Sequence, residues 1–310
     1  MKQTVTFDDV LLQPQYSEIV SRKSIDISSA LSENIVLDLP IIAAPMDTVT
    51  NSHLINQMNK HGATGVMHRY NSTYEQVSAI KRVEGLKAAA VGVTGDYADR
   101  ALKLVNAGAS VICVDVAHGH HALVRHALKV LRQTVGYDTH IMVGNVATLE
   151  AFNDLADWGA NSIKVGIGGG SICSTRIQTG HGIPTLQSVI DCARSDRDVK
   201  LIADGGIKNS GDMVKALAAG ADFVMVGSLL AGTIEAPGDS IVIDGKTYKK
   251  YRGMASVEAQ IDWRGHSSSI EGVSHMVPAR GPLQKVLNEL EAGIRSGFSY
   301  TGALNIVEFQ

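Results

Sequence analysis

Short, almost unbroken apolar runs recur along this chain, with room for one helix between each run and the next. Eight of them follow one another: Pro40 to Pro45, Ala63 to Met67, Lys87 to Val93, Ser110 to Val116, His140 to Val146, Ser162 to Ile167, Lys200 to Asp204 and Phe223 to Gly227. A strand with one wet face alternates apolar and polar residues, whereas runs without alternation belong to parallel strands covered on both faces. The segments between carry the helical period. Tyr97 to Ala107 and Ser210 to Ala219 repeat apolar residues every three or four positions and stop at Gly108 and Gly220, where a helix can end. Eight such units without a long linker predict an α/β fold, a (β/α)8 TIM barrel forming a single domain over 1–310. The competing architecture, an open doubly wound sheet, wants a Gly-rich turn after its first strand, and Pro40 to Thr50 contains none.

Polar and glycine residues trail each run: Met46-Asp47-Thr48, His68-Arg69, Asp115 to His121, Gly144-Asn145, the Gly168 loop, Asp204-Gly205-Gly206 and Gly227-Ser228. In a barrel these positions gather at the C-terminal face of the strands, where such enzymes place their active sites. The richest of them lies within Val165 to Gly182, which reads V-G-I-G-G-G-S-I-C-S-T-R-I-Q-T-G-H-G. Its glycines let the amides of Gly168 to Ser171 turn inward as an anion nest, or their carbonyls turn towards a cation. Cys173 then lies where a substrate would. Inward amides with Arg176 close by supply the electropositive setting in which a thiol acts as nucleophile. Cys113, inside the apolar run Val111 to Val114, reads instead as a small buried hydrophobe.

The turns after the seventh and eighth runs, Asp204-Gly205-Gly206 and Gly227-Ser228, fall where barrels bind phosphate through backbone N–H groups and a helix N-terminus. Asp204 would repel a phosphate, so its natural partner is a ribose hydroxyl, and the combination suggests a nucleotide. The plainer alternative is a pair of tight turns with a capping Asp. After Ala231 the rhythm breaks. Ile241-Val242-Ile243 and Lys246-Thr247-Tyr248 flank Asp244-Gly245, a hairpin signal. Beyond Tyr251-Arg252-Gly253-Met254, the polar span Ala259 to Ser269 reads as a disordered excursion or a mobile flap over the site, closed by Glu271-Gly272. The expected divisions are an N-terminal arm over 1–38, a hairpin and flap over 233–272 and a C-terminal segment over 273–310.

Composition narrows the function class. The chain is 45% hydrophobic and 19% charged, enough for a large core, and its net charge of −3 offers no general attraction to nucleic acid or an anionic membrane. Three cysteines at irregular spacing form neither a disulfide framework nor a zinc pattern. No basic leader precedes an apolar run and no stretch reaches bilayer length, so a cytoplasmic location is expected.

Several segments together carry a resemblance: Thr6-Phe7-Asp8-Asp9-Val10-Leu11-Leu12, Ala44-Pro45-Met46-Asp47-Thr48-Val49, Asp115 to Gly119, Gly144-Asn145-Val146, Gly168 to Thr175, Ile202 to Ile207, Gly227 to Gly232 and Tyr251-Arg252-Gly253-Met254. Over nearly its whole length the chain resembles the inosine monophosphate dehydrogenase and guanosine monophosphate reductase family. The resemblance implies a purine nucleoside monophosphate substrate and a covalent bond from Cys173 to purine C2. It implies phosphate contacts from Ser171, Gly206, Gly227, Ser228 and Tyr251, with Gly205 and Gly253 beside them, ribose contacts from Asp204 and base contacts from Met254 and Ala255. It places Asp115 and Asn145 on the nicotinamide side and Arg69 against the cofactor's phosphates. It further implies a potassium ion on carbonyls of Gly168, Gly170 and Cys173, and a homotetramer in which Glu291 to Ala303 reaches a neighbouring site.

The two branches of the family differ in the second half of the reaction. Dehydrogenases hydrolyse the cysteine adduct with an Arg-Tyr pair on the flap; here no such dipeptide lies between Met254 and Glu271, and Trp263-Arg264 comes nearest. The regulatory insert usual in dehydrogenases is missing between His68-Arg69 and the Lys87 run. Reductases protonate a departing amine through a Thr and a Glu, which map onto Thr175 and Glu271. Pro45, Thr50 and Gly297 to Ala303 are closer to the dehydrogenase pattern, and Ala255 stands where dehydrogenases usually have glycine and many reductases serine. The resemblance thus implies NADPH-dependent conversion of GMP to IMP and ammonia. The alternatives are a compact NAD-dependent IMP dehydrogenase with Arg264 as base, and a silent nucleotide-binding barrel.

Overall fold

The computed structural model describes residues 3–268 and 270–310. Met1 and Lys2 of the expected arm, and Ser269 at the end of the expected flap, lie outside the described residues. Two short strands, β1 (Ser29–Ser32) and β2 (Ile35–Leu37), pair antiparallel ahead of the barrel. Then come β3 (Ile41–Ala43), β4 (Thr64–Met67), β5 (Ala88–Val91), β6 (Val111–Asp115), β7 (His140–Val146), β8 (Ser162–Val165), β9 (Lys200–Asp204) and β10 (Phe223–Val226). They are parallel, lie in chain order and close into a barrel, β10 pairing with both β9 and β3. Each occupies one of the eight apolar runs.

Strand alternation explains why the runs are apolar throughout. Ile42, Val66, Ala88, Cys113, Met142, Ile202 and Phe223 form one buried cluster inside the barrel, with Leu31 and Leu37 of β1 and β2 joining it. Ile41, Ala89, Ile112, Val143 and Ile163 belong to a second cluster with the surrounding helices. Burying each large side chain stabilises the fold by about 1.5–3 kcal/mol. The helices Tyr97–Asn106 and Ser210–Ala218 end as the glycines require, with Gly108 (φ 97°) and Gly220 (φ 104°) just past their C-caps.

A three-stranded sheet follows the barrel: β11 (Ser240–Ile243), β12 (Lys246–Arg252) and β13 (Ser274–Pro278). Its hairpin turns on Asp244 (φ 49°) and Gly245 (φ 73°), the left-handed pair that matches strand twist. The third strand has no strong sequence signal, because its residues are mostly exposed and backbone pairing to β12 holds it. The span read as a disordered excursion or a mobile flap contains ordered structure: Val257–Arg264 is a helix, its start capped by the Ser256 hydroxyl and its end set by Gly265 at φ 75°. The apolar patch of the N-terminal arm also divides. Phe7 is buried while Leu11 is 89% exposed. The long helix Leu283–Ser299 packs on Ser210–Ala218, where a Cβ on Gly297 would come within 2.6 Å of Val214. Among the described residues no helix is long and apolar enough to cross a membrane.

Candidate active site

The cysteine loop starts from a backbone that only glycine tolerates. Past the end of β8, Gly166 adopts φ 146°, and a Cβ there would lie 1.9 Å from the Asp204 carbonyl oxygen. Three residues on, a Cβ on Gly169 would lie 2.2 Å from Thr185 Oγ1. The loop therefore passes close against the end of β9, and Cys173 comes to a cleft of about 350 Å³ over the C-terminal end of the barrel. That volume suits a small-molecule site. The expected nucleophile, relay, substrate and cofactor residues all line it: Arg69, Asp115, Asn145, Gly168, Gly170, Ser171, Cys173, Thr175, Asp204, Gly205, Gly206, Gly227, Ser228, Tyr251, Gly253, Met254, Ala255 and Glu271, whereas Arg176, the expected electropositive neighbour of Cys173, is exposed and outside the lining.

Backbone bonds fasten the far side of the flap to this loop. Ser174 N–H donates to the Glu271 carbonyl (2.8 Å), Val273 N–H to Ile172 (3.0 Å) and Gly253 N–H to Val273 (3.0 Å). The Glu271 side chain is thereby held over the nucleophile. Cys173 Sγ lies 3.2 Å from Thr175 Oγ1 as donor, and that hydroxyl donates to Glu271 Oε2 at 2.6 Å. A continuous path thus leads from thiol to carboxylate. Cys113 and Cys192 are different: both are buried, and burial pushes their thiols up to about 12, so neither acts as nucleophile near neutral pH.

The opposite wall supplies hydrogen-bond donors. Tyr251 is buried, Ser171 hydrogen-bonds its hydroxyl, and burial pushes that phenol up to about 12, so it stays protonated. A Cβ on Gly227 would come 2.8 Å from the same hydroxyl, so glycine keeps this corner open. The Tyr-Arg-Gly-Met segment is clipped to the loop after β3. Arg252 Nε donates to Asp47 (3.0 Å) and its Nη1 to Asp262 of the flap helix (2.5 Å), while Met254 Sδ accepts from Asp47 N–H (3.3 Å).

Three participants were not foreseen. Lys164 of β8 lines the cleft, its side chain 2% exposed, and pairs with Asp115 and with Asp204 (3.4 Å). The signal was legible as the one charge in a buried strand, Ser-Ile-Lys-Val. Tyr70 lines the cleft beside Arg69, and Trp263 of the flap helix stacks on it with ring centroids 4.3 Å apart and planes 10° apart. No sequence pattern announces that pair. Arg264, the expected substitute base of the dehydrogenase alternative, is exposed and binds within its own segment, to Gln260, to Ser268 Oγ at 3.0 Å and to the His266 carbonyl at 3.3 Å.

Of the carbonyls expected to hold a potassium ion, that of Gly170 accepts Cys173 N–H at 3.1 Å and keeps a second lone pair, so the donor set fits such an ion. Among the described residues no group of three or more His, Cys, Asp or Glu side chains could hold a metal ion.

The model of the IMP dehydrogenase / GMP reductase domain matches residues 4–310. The chain belongs to this family. Within it, the chain is a purine nucleotide oxidoreductase. It is 31% identical over 450 aligned positions to inosine-5'-monophosphate dehydrogenase of Nitrosopumilus maritimus (strain SCM1), covering 100% of this chain and 94% of that protein. To GMP reductase of Leishmania major it is 32% identical over 455 positions, covering 99% and 92%. To inosine-5'-monophosphate dehydrogenase of Cryptosporidium parvum it is 34% identical over 362 positions, covering 98% and 89%. Relatives of both names thus match about equally well, and the family branch must be argued from the site.

Proposed function

We propose that this protein is a GMP reductase that converts GMP to IMP and ammonia at the expense of NADPH. The single observation carrying this reading is the Cys173–Thr175–Glu271 hydrogen-bond path. Through it the thiol proton passes to Glu271 as Sγ bonds purine C2. The same carboxyl group then returns that proton through Thr175 to the 2-amino group, which leaves as ammonia when the C2–N bond breaks. NADPH, when bound, supplies a hydride to C2; the C2–Sγ bond then breaks, IMP departs and the thiolate regains a proton from solvent.

The remaining residues bind and orient. The protonated Tyr251 hydroxyl, Ser171, Ser228 and the amides of Gly206 and Gly227 suit the phosphate, and Asp204 the ribose. Met254 and Ala255 face the base, with Gly205 and Gly253 allowing close approach. Asp115, Asn145 and Arg69 suit the cofactor, and Arg69 lies with its guanidinium 5.4 Å from the Tyr70 ring centroid. No step is routed through the potassium ion. A homotetramer is part of the same reading. In its support, Tyr300 and Leu304 near the C-terminus are exposed although Ile294 and Phe298 are buried on the chain's own barrel.

The second reading, IMP dehydrogenase, needs a base for water, and the hydrogen bonds of Arg264 within the flap count against it. Incubation with each nucleotide and each cofactor separates the readings. The reductase consumes reduced-nicotinamide absorbance and releases ammonia with GMP and NADPH. Formation of XMP from IMP and NAD, with no GMP-dependent oxidation, would reject it.

A further inference from the structure

We propose that Lys164 is a positioning residue that holds the substrate-side and cofactor-side carboxylates in one fixed relation, so that hydride donor and acceptor carbon meet at the right place. The role assigned to each carboxylate rests on the function proposed above. Lys164 points into the barrel from β8, and its neighbour in β7 is Gly144, where a Cβ would fall 2.6 Å from Lys164 Cβ. Glycine leaves room for the long side chain. The ammonium reaches Asp115 at the end of β6 and Asp204 at the end of β9. Asn145 Nδ2 donates to the same Asp204 oxygen (2.9 Å) and to the Gly166 carbonyl (2.8 Å). One cation and one amide therefore tie together the ends of four neighbouring strands, β6 to β9.

A structural ion pair alone does not account for this arrangement. Removing charges from water costs about as much as their attraction returns, so an apolar residue would pack here at least as well. What the triad supplies is geometry. Both carboxylates line the cleft, and each retains lone pairs for hydroxyl donors from a ligand. The groups around Nζ are Asp115 and Cys113 of β6 and Asp204 of β9, with Arg69 acting on Cys113. Burial by itself disfavours the ammonium, but Asp115 and Asp204 outweigh it, and the lysine is held above its ordinary range. Without that cation the two carboxylates repel each other, and nothing else holds them in the same relation.

The test is steady-state kinetics of Lys164→Met, with whichever nucleotide and cofactor the wild-type protein turns over. Loss of the GMP reductase reading and loss of the Lys164 role thus register separately. We expect kcat to fall about 100-fold, as for a reacting group displaced by about 1 Å. We expect either KM to change far less, because the binding groups themselves remain. An unchanged kcat, or a loss confined to the KM values, overturns the proposal. Should Lys164→Met not fold, Lys164→Ala is assayed with ethylammonium, which can enter the space opened beside the cleft. Saturable recovery of kcat supports the role, and no recovery rejects it.

Discussion

A single hydroxyl, Thr175 Oγ1, joins a thiol two positions away to a carboxylate 96 positions along the chain. On the proposed reading Glu271→Gln keeps the hydrogen bond yet cannot hold the proton. The expected loss in kcat is about 10²–10⁴-fold, with little change in nucleotide affinity, checked by ammonia release and by isothermal titration. Activity that survives this change would favour the dehydrogenase branch. A second residue-scale effect is on stability. His140 is buried against Ser162 Oγ at 2.8 Å, and burial, with Arg132 nearby, pushes it down to about 4 from an ordinary 6.5. The unfolded chain therefore binds the extra proton between those values. The stabilisation from keeping this ring neutral is complete above about pH 6.5 and is lost as pH falls towards 4, amounting to about 3 kcal/mol. Urea unfolding of His140→Phe over that range should show a shallower decline than the parent.

At the scale of elements, the flap helix Val257–Arg264 is attached by identifiable contacts: its Ala259 and Gln260 are buried, and Glu258 pairs with Lys250 at 2.6 Å. Trp263 stacks on Tyr70, and Asp262 takes Arg252 Nη1 at 2.5 Å. Beyond Gly265 the chain returns to the barrel at Glu271, whose backbone is bonded to the cysteine loop. Opening the helix thus uncovers the Tyr70 wall while leaving the Glu271 end anchored. An aromatic pair of this kind stabilises by about 0.5–1.5 kcal/mol beyond its buried area. Trp263→Ala should raise the KM for the nicotinamide cofactor by up to about tenfold, since 1.4 kcal/mol is tenfold in affinity. It should also speed protease cleavage near His266 and leave the melting temperature of the barrel nearly unchanged. If neither cleavage nor KM moves, the flap helix does not cover the cofactor.

For the molecule as a whole, the barrel brings residues from seven of its eight strand ends to one cleft, so a ligand that contacts several of them should stabilise the entire fold. At 100 times its Kd, GMP adds about 2.7 kcal/mol and should raise the melting temperature by about 5 °C, and Asp204→Ala should shrink that shift at the same concentration. Fold and site differ in how far the chain's order alone discloses them. Eight doubly buried strands, the hairpin at Asp244-Gly245, the glycine loop and Cys173 were all legible, because burial and backbone conformation leave their mark on a few consecutive residues. The flap helix and β13 were not, since a capping serine and pairing with β12 hold them rather than a strong apolar period. Nor could local pattern reveal that Lys164 lies between Asp115 and Asp204, that Trp263 meets Tyr70, or how Thr175 is oriented towards Glu271. Hydrogen bonds and ion pairs act over about 3 Å, and only closure of the barrel and docking of the flap bring residues so distant in sequence within that reach.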